Sequence, residues 1–65
     1  MIEKIKRLMD FENINQKQLA HKLNLTPVAV SRFLSGQRKP TIEFVIKISE
    51  VFNVSLDWLL KDENR

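Results

Sequence analysis

The stretch Asn15–Gly36, NQKQLAHKLNLTPVAVSRFLSG, sets two short helical patterns almost end to end. Asn15 is a good cap residue, and Gln18 three residues later completes a capping box. The pattern therefore predicts a helix from Gln16 that carries Leu19, Ala20 and Leu23 inward for about two turns. Asn24 follows, a residue that tolerates the left-handed conformation a sharp corner requires. Leu25 then plugs the corner. Thr26 and Pro27 start the next helix, because the hydroxyl caps an orphan amide and Pro27 takes the first helical position, where a missing N–H costs nothing. Gly36, the only glycine of the chain, stands where a left-handed stop residue belongs.

The flanking sequence continues in the same manner. Ile2, Ile5, Leu8 and Met9 share one face of a first helix that ends near Glu12 or Asn13, with Ile14 as a buried anchor in the turn. Glu3, Lys4, Lys6 and Arg7 cover the rest of that helix as a solvated face. After the loop Gln37–Pro40, Thr41 caps a fourth helix with Ile42, Val45, Ile48, Ser49 and Phe52 at inward spacing. Ser55 and Asp57 open a fifth, and Asp57 suits the positive end of its dipole. Trp58 falls at core spacing with Phe52 and Val54 and is expected to be buried. No alternation is long enough for a strand. The expected fold is all-α, a compact bundle of five short helices, with a domain over residues 1–61 and a polar tail over 62–65.

Sixty-five residues make one domain, which buries only about 60% of the surface its unfolded chain would expose. Hydrophobic residues at 43% and charged residues at 29% are those of a folding domain rather than a disordered segment. There is no cysteine, so disulfides and thiolate metal sites are excluded, and a cytoplasmic home is the default. No apolar run approaches the roughly 20 residues that span a bilayer. The net charge of +3 is unevenly distributed: from Asn13 to Ile42 the charged residues are Lys17, Lys22, Arg32, Arg38 and Lys39, all basic. A surface that meets a polyanion has this asymmetry.

On a helical wheel the third helix sets Val30, Phe33 and Leu34 on one side and Pro27, Val28, Ser31, Arg32 and Ser35 on the other. The second side is small and polar with one long cation, as a helix must be to lie in a DNA major groove about 12 Å wide. The start of the second helix, with Asn15, Gln16 and Lys17, offers free amides and a positive dipole end to a phosphate. Arg38 and Lys39 in the loop after the third helix grip the backbone on the other side. Val28 is expected to be exposed and to meet a thymine methyl. His21 has no Cys or second His near it and reads as a surface residue. Glu50 and Asp57 lack a paired acid or base, and no nucleophile–base pair or phosphate-cradling glycine loop exists, so neither an enzyme nor a cofactor is expected.

These marks, Gln16, Leu19-Ala20, Val30-Ser31-Arg32, Gly36, Pro40 and Leu56-Asp57-Trp58-Leu59-Leu60, resemble the helix-turn-helix domain of the phage repressor and Cro family over about Ile2 to Leu60. The resemblance implies base contacts at Pro27, Val28, Ser31 and Arg32. It implies backbone contacts at Asn15, Gln16, Lys17, Thr26, Ser35, Arg38 and Lys39. Asn24 replaces the glycine many members carry in the turn. Leu34 stands where members often have a polar residue and is expected to meet something apolar, helix four or a partner. The function implied is a sequence-specific regulator of transcription, a repressor acting as a homodimer on a two-fold operator in double-stranded DNA. Two rival readings are an antitoxin, which would bind a toxin protein as well as its own promoter, and a protein-interaction module using exposed Leu34, Ile46 and Val51.

Overall fold

The computed structural model describes residues 1–61; the expected tail over 62–65 lies outside the described residues. Five helices follow one another: α1 Ile2–Glu12, α2 Gln16–Leu23, α3 Pro27–Ser35, α4 Ile42–Phe52 and α5 Leu56–Leu60. Among the described residues there is no strand, and no helix is long and apolar enough to cross a membrane.

Three of the four connections are built alike. Asn13-Ile14-Asn15, Asn24-Leu25-Thr26 and Asn53-Val54-Ser55 each join one helix to the next by three residues. In each, the asparagine is left-handed, with φ of 58°, 60° and 57°. The apolar residue after it donates its amide back to the carbonyl five residues earlier, Ile14 to Met9 at 3.0 Å, Leu25 to Ala20 at 2.9 Å and Val54 to Ser49 at 3.1 Å. This arrangement satisfies carbonyls that a helix end leaves open. The third residue caps the next helix: the side chain of Asn15 accepts from the Gln18 amide, Thr26 from Ala29 and Ser55 from Trp58. The capping box at Asn15 and Gln18 is reciprocal. Ile14, Leu25 and Val54 pack half-buried against the core. Only the α3–α4 connection differs, with Gly36 at φ 87° and Thr41 capping α4 through the Phe44 amide.

The core gathers twelve apolar side chains, Leu19, Ala20 and Leu23 of α2 and Val30, Phe33 and Leu34 of α3 among them. Phe44 of α4 is stacked on Phe33 with ring centroids 4.4 Å apart, which locks α4 to the back of α3. Four expectations need correction. Ile42 is not inward but 72% exposed. In the α4 segment IEFVIKISEVF the residues Glu43, Lys47 and Glu50 gather within about 60° of the circumference, so periodicity selects the opposite side but leaves Ile42, on the border, open to either assignment. Phe44, Val45 and Ile48 go inward because Phe33 waits there, and this turns Ile42 and Ile46 outward. Trp58 is 39% exposed, because in so short a helix only one side chain can point straight into the core, and that is Leu59.

Lys4 does not belong to a solvated face. It is 3% exposed, the one buried charged side chain among the described residues, and its Nζ donates to the carbonyls of Trp58 and Lys61. Leu34 is buried and Val51 half-buried against the core, so the interaction-module reading loses two of its three residues and keeps Ile46. Leu34 thus turns to its own domain, as one of the buried core residues together with Met9 of α1. A second lysine, Lys47 of α4, donates from Nζ to the Leu23 carbonyl at 3.1 Å and closes the end of α2.

Asn24→Ala is expected to lower stability by about 1–2 kcal/mol, the cost of a left-handed Cβ, whereas Asn24→Gly leaves the urea midpoint unchanged or raises it. Phe44→Ala is expected to cost about 3–5 kcal/mol. Trp58→Ala, at a half-open site, should cost less than half as much in the same denaturation experiment.

Candidate nucleic-acid interface

The outward side of α3 is fixed by what its inward side must do. With Val30, Phe33 and Leu34 buried, Pro27, Val28, Ser31, Arg32 and Ser35 are all exposed. Val28 is 58% exposed, a branched apolar side chain held in water at the second position of the helix. The Ser35 hydroxyl donates to the Arg32 carbonyl at 3.3 Å, and the Arg38 amide donates to the same carbonyl at 3.2 Å. The end of α3 and the start of the next loop are thereby tied to the residue carrying the long cation. Thr26 uses its oxygen to cap the Ala29 amide at 3.1 Å and keeps its hydroxyl proton as a donor.

At the start of α2 the capping box occupies the amides of Asn15 and Gln18, at 2.9 and 2.8 Å. The amides of Gln16 and Lys17, first and second in the helix, have no intrahelical acceptor by construction and point along the axis with the positive dipole end. Asn15, Gln16 and Lys17 are exposed around them. Arg38 is held rather than free, its Cζ 5.6 Å from the centroid of the Phe33 ring. That stacking sets the guanidinium beside the end of α3. Lys39 is exposed in the same loop.

The clefts between the elements show which of these residues are neighbours. Lys17 of α2 and Pro27 of α3 line one cleft with Ala20, His21 and Leu25, so the first turn of one helix and the start of the next adjoin. Gln16 lies in a different cleft with Lys6 and Asp10 of α1. Two residues read from sequence as ordinary surface therefore share these clefts, His21 and Lys6. For His21 the signal was present, since it follows Lys17 by four residues on the same helix face. For Lys6 there was none, because its place beside Gln16 depends on how α1 crosses α2. No cluster of three or more metal-ligating side chains occurs among the described residues.

Residues 5–59 match the helix-turn-helix family. The chain is 36% identical over 62 residues to the HTH-type transcriptional regulator YqaE of Bacillus subtilis, covering 95% of this chain and 53% of that protein. It is 38% identical over 61 residues to the HTH-type transcriptional activator BcrR of Enterococcus faecalis, covering 94% and 30%. It is 34% identical over 62 residues to the HTH-type transcriptional regulator ImmR of Bacillus subtilis, covering 94% and 49%. The chain thus spans about half or less of the length of these curated relatives. No solved structure matches it. With two abutting helices, the second turned outward along its polar side, and a match that runs from the middle of α1 to the end of α5, the chain belongs to the Cro and repressor type of helix-turn-helix family, DNA-binding regulators of transcription.

Proposed function

We propose that this chain recognises a specific two-fold operator in double-stranded DNA as a homodimer and represses transcription by occupying it, acting in the cytoplasm. The observation that carries the reading is the outer face of α3, five small or cationic side chains all exposed, set beside the open amides of α2 in a stretch without an acidic residue. Pro27, Val28, Ser31 and Arg32 read bases. Asn15, Gln16, Lys17, Thr26, Ser35, Arg38 and Lys39 hold the backbone. One small domain makes few base contacts, each worth roughly 1–3 kcal/mol of discrimination, so a single copy does not select one site from a genome. Two copies with recognition helices about 34–36 Å apart double the contacts. The pairing surface is α5 with the segment before it, because Leu56 and Leu60 are exposed there, one helical turn apart, and the basic window stays free for DNA.

Selection of random duplex DNA against the pure protein yields the operator, and placing that operator over a reporter promoter tests repression: expression falls when the protein is supplied. Selection without any enriched sequence would remove the reading.

On the selected site, Arg32→Ala is expected to cost about 1–3 kcal/mol, with preference relaxed at one base pair, since a guanidinium can pair with both O6 and N7 of a guanine. Lys39→Ala weakens all sequences alike and lowers the salt slope by about one unit. Affinities for the operator and its single-base variants at two salt concentrations separate the two. Leu60→Glu is expected to leave the fold and half-site binding intact and to abolish the advantage of the two-fold site, read by gel shift and by analytical ultracentrifugation on DNA.

A further inference from the structure

α5 has five residues, and only Leu59 among them is fully buried. One side chain in one socket fixes where a short helix sits but not how far it is rolled about that contact. A second hold, at a different point, fixes the roll. It comes from the other end of the chain. Lys4 of α1 donates from Nζ to the Lys61 carbonyl at 2.8 Å and to the Trp58 carbonyl, and the same ammonium stands 4.9 Å from the centroid of the Trp58 ring. A lysine that served only to cover apolar surface would carry its charge out to water. Lys4 instead keeps it inside, on carbonyls that the end of α5 leaves without an intrahelical donor.

We propose that Lys4 is a positioning residue for pairing: it sets the roll of α5 and with it the angle at which Leu56 and Leu60 meet a second copy of this chain. The inference rests on the reading of α5 as the pairing surface. At 100° per residue, Trp58 lies about 160° round the helix from both Leu56 and Leu60, so these occupy opposite flanks with Leu59 on the buried side between them. Drawing the Trp58 flank onto Lys4 therefore turns the leucine flank outward. The ring contact holds the side of α5 and the carbonyl contacts hold its end, so rotation and tilt are both restrained. Loss of the ammonium leaves α5 held by the Asn53–Ser55 corner at its start and by Leu59, with nothing restraining its far end, and lets the leucines swing relative to a partner that needs them in register.

The test compares binding to the selected two-fold operator and to an isolated half-site for the unchanged chain, Lys4→Met, Lys4→Gln and Lys4→Arg, together with iodide quenching of Trp58 fluorescence. Lys4→Met keeps the stem without the charge. It should hold half-site affinity within about twofold while cooperativity between half-sites falls about tenfold, a shift within the usual range of coupling between sites. Trp58 should become more readily quenched. Lys4→Arg, which keeps the cation, should restore most of the cooperativity. An unchanged chain that binds the two half-sites independently shows that α5 does not pair, and the inference falls with that reading. A cooperative unchanged chain with equally cooperative Lys4→Met leaves the pairing surface standing and overturns the role of Lys4. Parallel loss of half-site and operator affinity also overturns it, since Lys4 then serves only the fold. If Lys4→Met does not fold, Lys4→Gln decides by the same criteria, and failure of both to fold again assigns Lys4 to the fold alone.

Discussion

The left-handed corner at Asn24 is the constraint that sets the arrangement of the site. With φ 60° at Asn24 and the Leu25 amide bonded back to Ala20, the chain leaves α2 and starts α3 within three residues, and the direction of α3 is set before any side chain of α3 has packed. Leu25 then fills the inside of the corner and Thr26 caps α3. A flexible linker would let α3 find its place by packing alone, and a helix with only three buried side chains has little packing to find it by. The same three-residue device at Asn13 and Asn53 fixes α1 against α2 and α5 against α4. Asparagine carries it three times in a chain with a single glycine, accepting a modest conformational cost in the folded state and losing less freedom on folding than glycine would.

Much of this is legible in the sequence, for a physical reason. Caps and corners are local: a hydroxyl or amide side chain three residues before a backbone N–H, or a left-handed residue followed by an apolar plug, is written in adjacent letters. Asn15, Asn24, Thr26, Gly36, Thr41 and Ser55 are all readable in that way. What is not legible depends on contacts between elements distant in sequence. Nothing near Ile42 says that Phe33 will claim Phe44 and turn Ile42 to water. Nothing near Lys4 says that the end of α5 will arrive above it. Trp58 misleads because size and hydrophobicity suggest the core, whereas a helix barely longer than one turn has a single inward direction and Leu59 occupies it. The candidate interface is legible to the extent that it is the complement of a local pattern, the side of α3 that Val30, Phe33 and Leu34 do not use. The neighbours Lys6 and His21 lie between helices, where sequence spacing within one helix carries part of the signal or none.

The basic residues divide by task, and the division sharpens the electrostatic picture that net charge alone blurs. Lys4 and Lys47 each reach across the domain to close the carbonyl end of another helix, so two cations outside the basic window serve the fold. Lys17, Lys22, Arg32, Arg38 and Lys39 are exposed, and the window that holds them has no carboxylate to neutralise it. An overall charge of +3 is too small by itself to indicate a polyanion partner. Concentrated on one stretch, with acidic residues confined to the flanks, the same charges provide an attractive surface whose strength depends on salt.

The economy of a small core also accounts for what the domain leaves outside. Among the described residues twelve buried apolar side chains hold five helices; α1, α2 and α4 end on an asparagine and α3 on Gly36, while Lys4 and Lys47 bond carbonyls at the ends of α5 and α2. Seven more apolar residues pack partly against that core, and those left at the surface include Phe11 on α1, Ile42 and Ile46 on α4, and Leu56 and Leu60 on α5. In a larger domain a further layer would cover them. Here α5, the shortest of the described helices, buries one side chain fully and presents two leucines to solvent. In the proposed dimer, the same shortage of surface that limits the base contacts of one copy leaves an apolar edge at which a second copy joins, so that pairing on adjacent half-sites answers both.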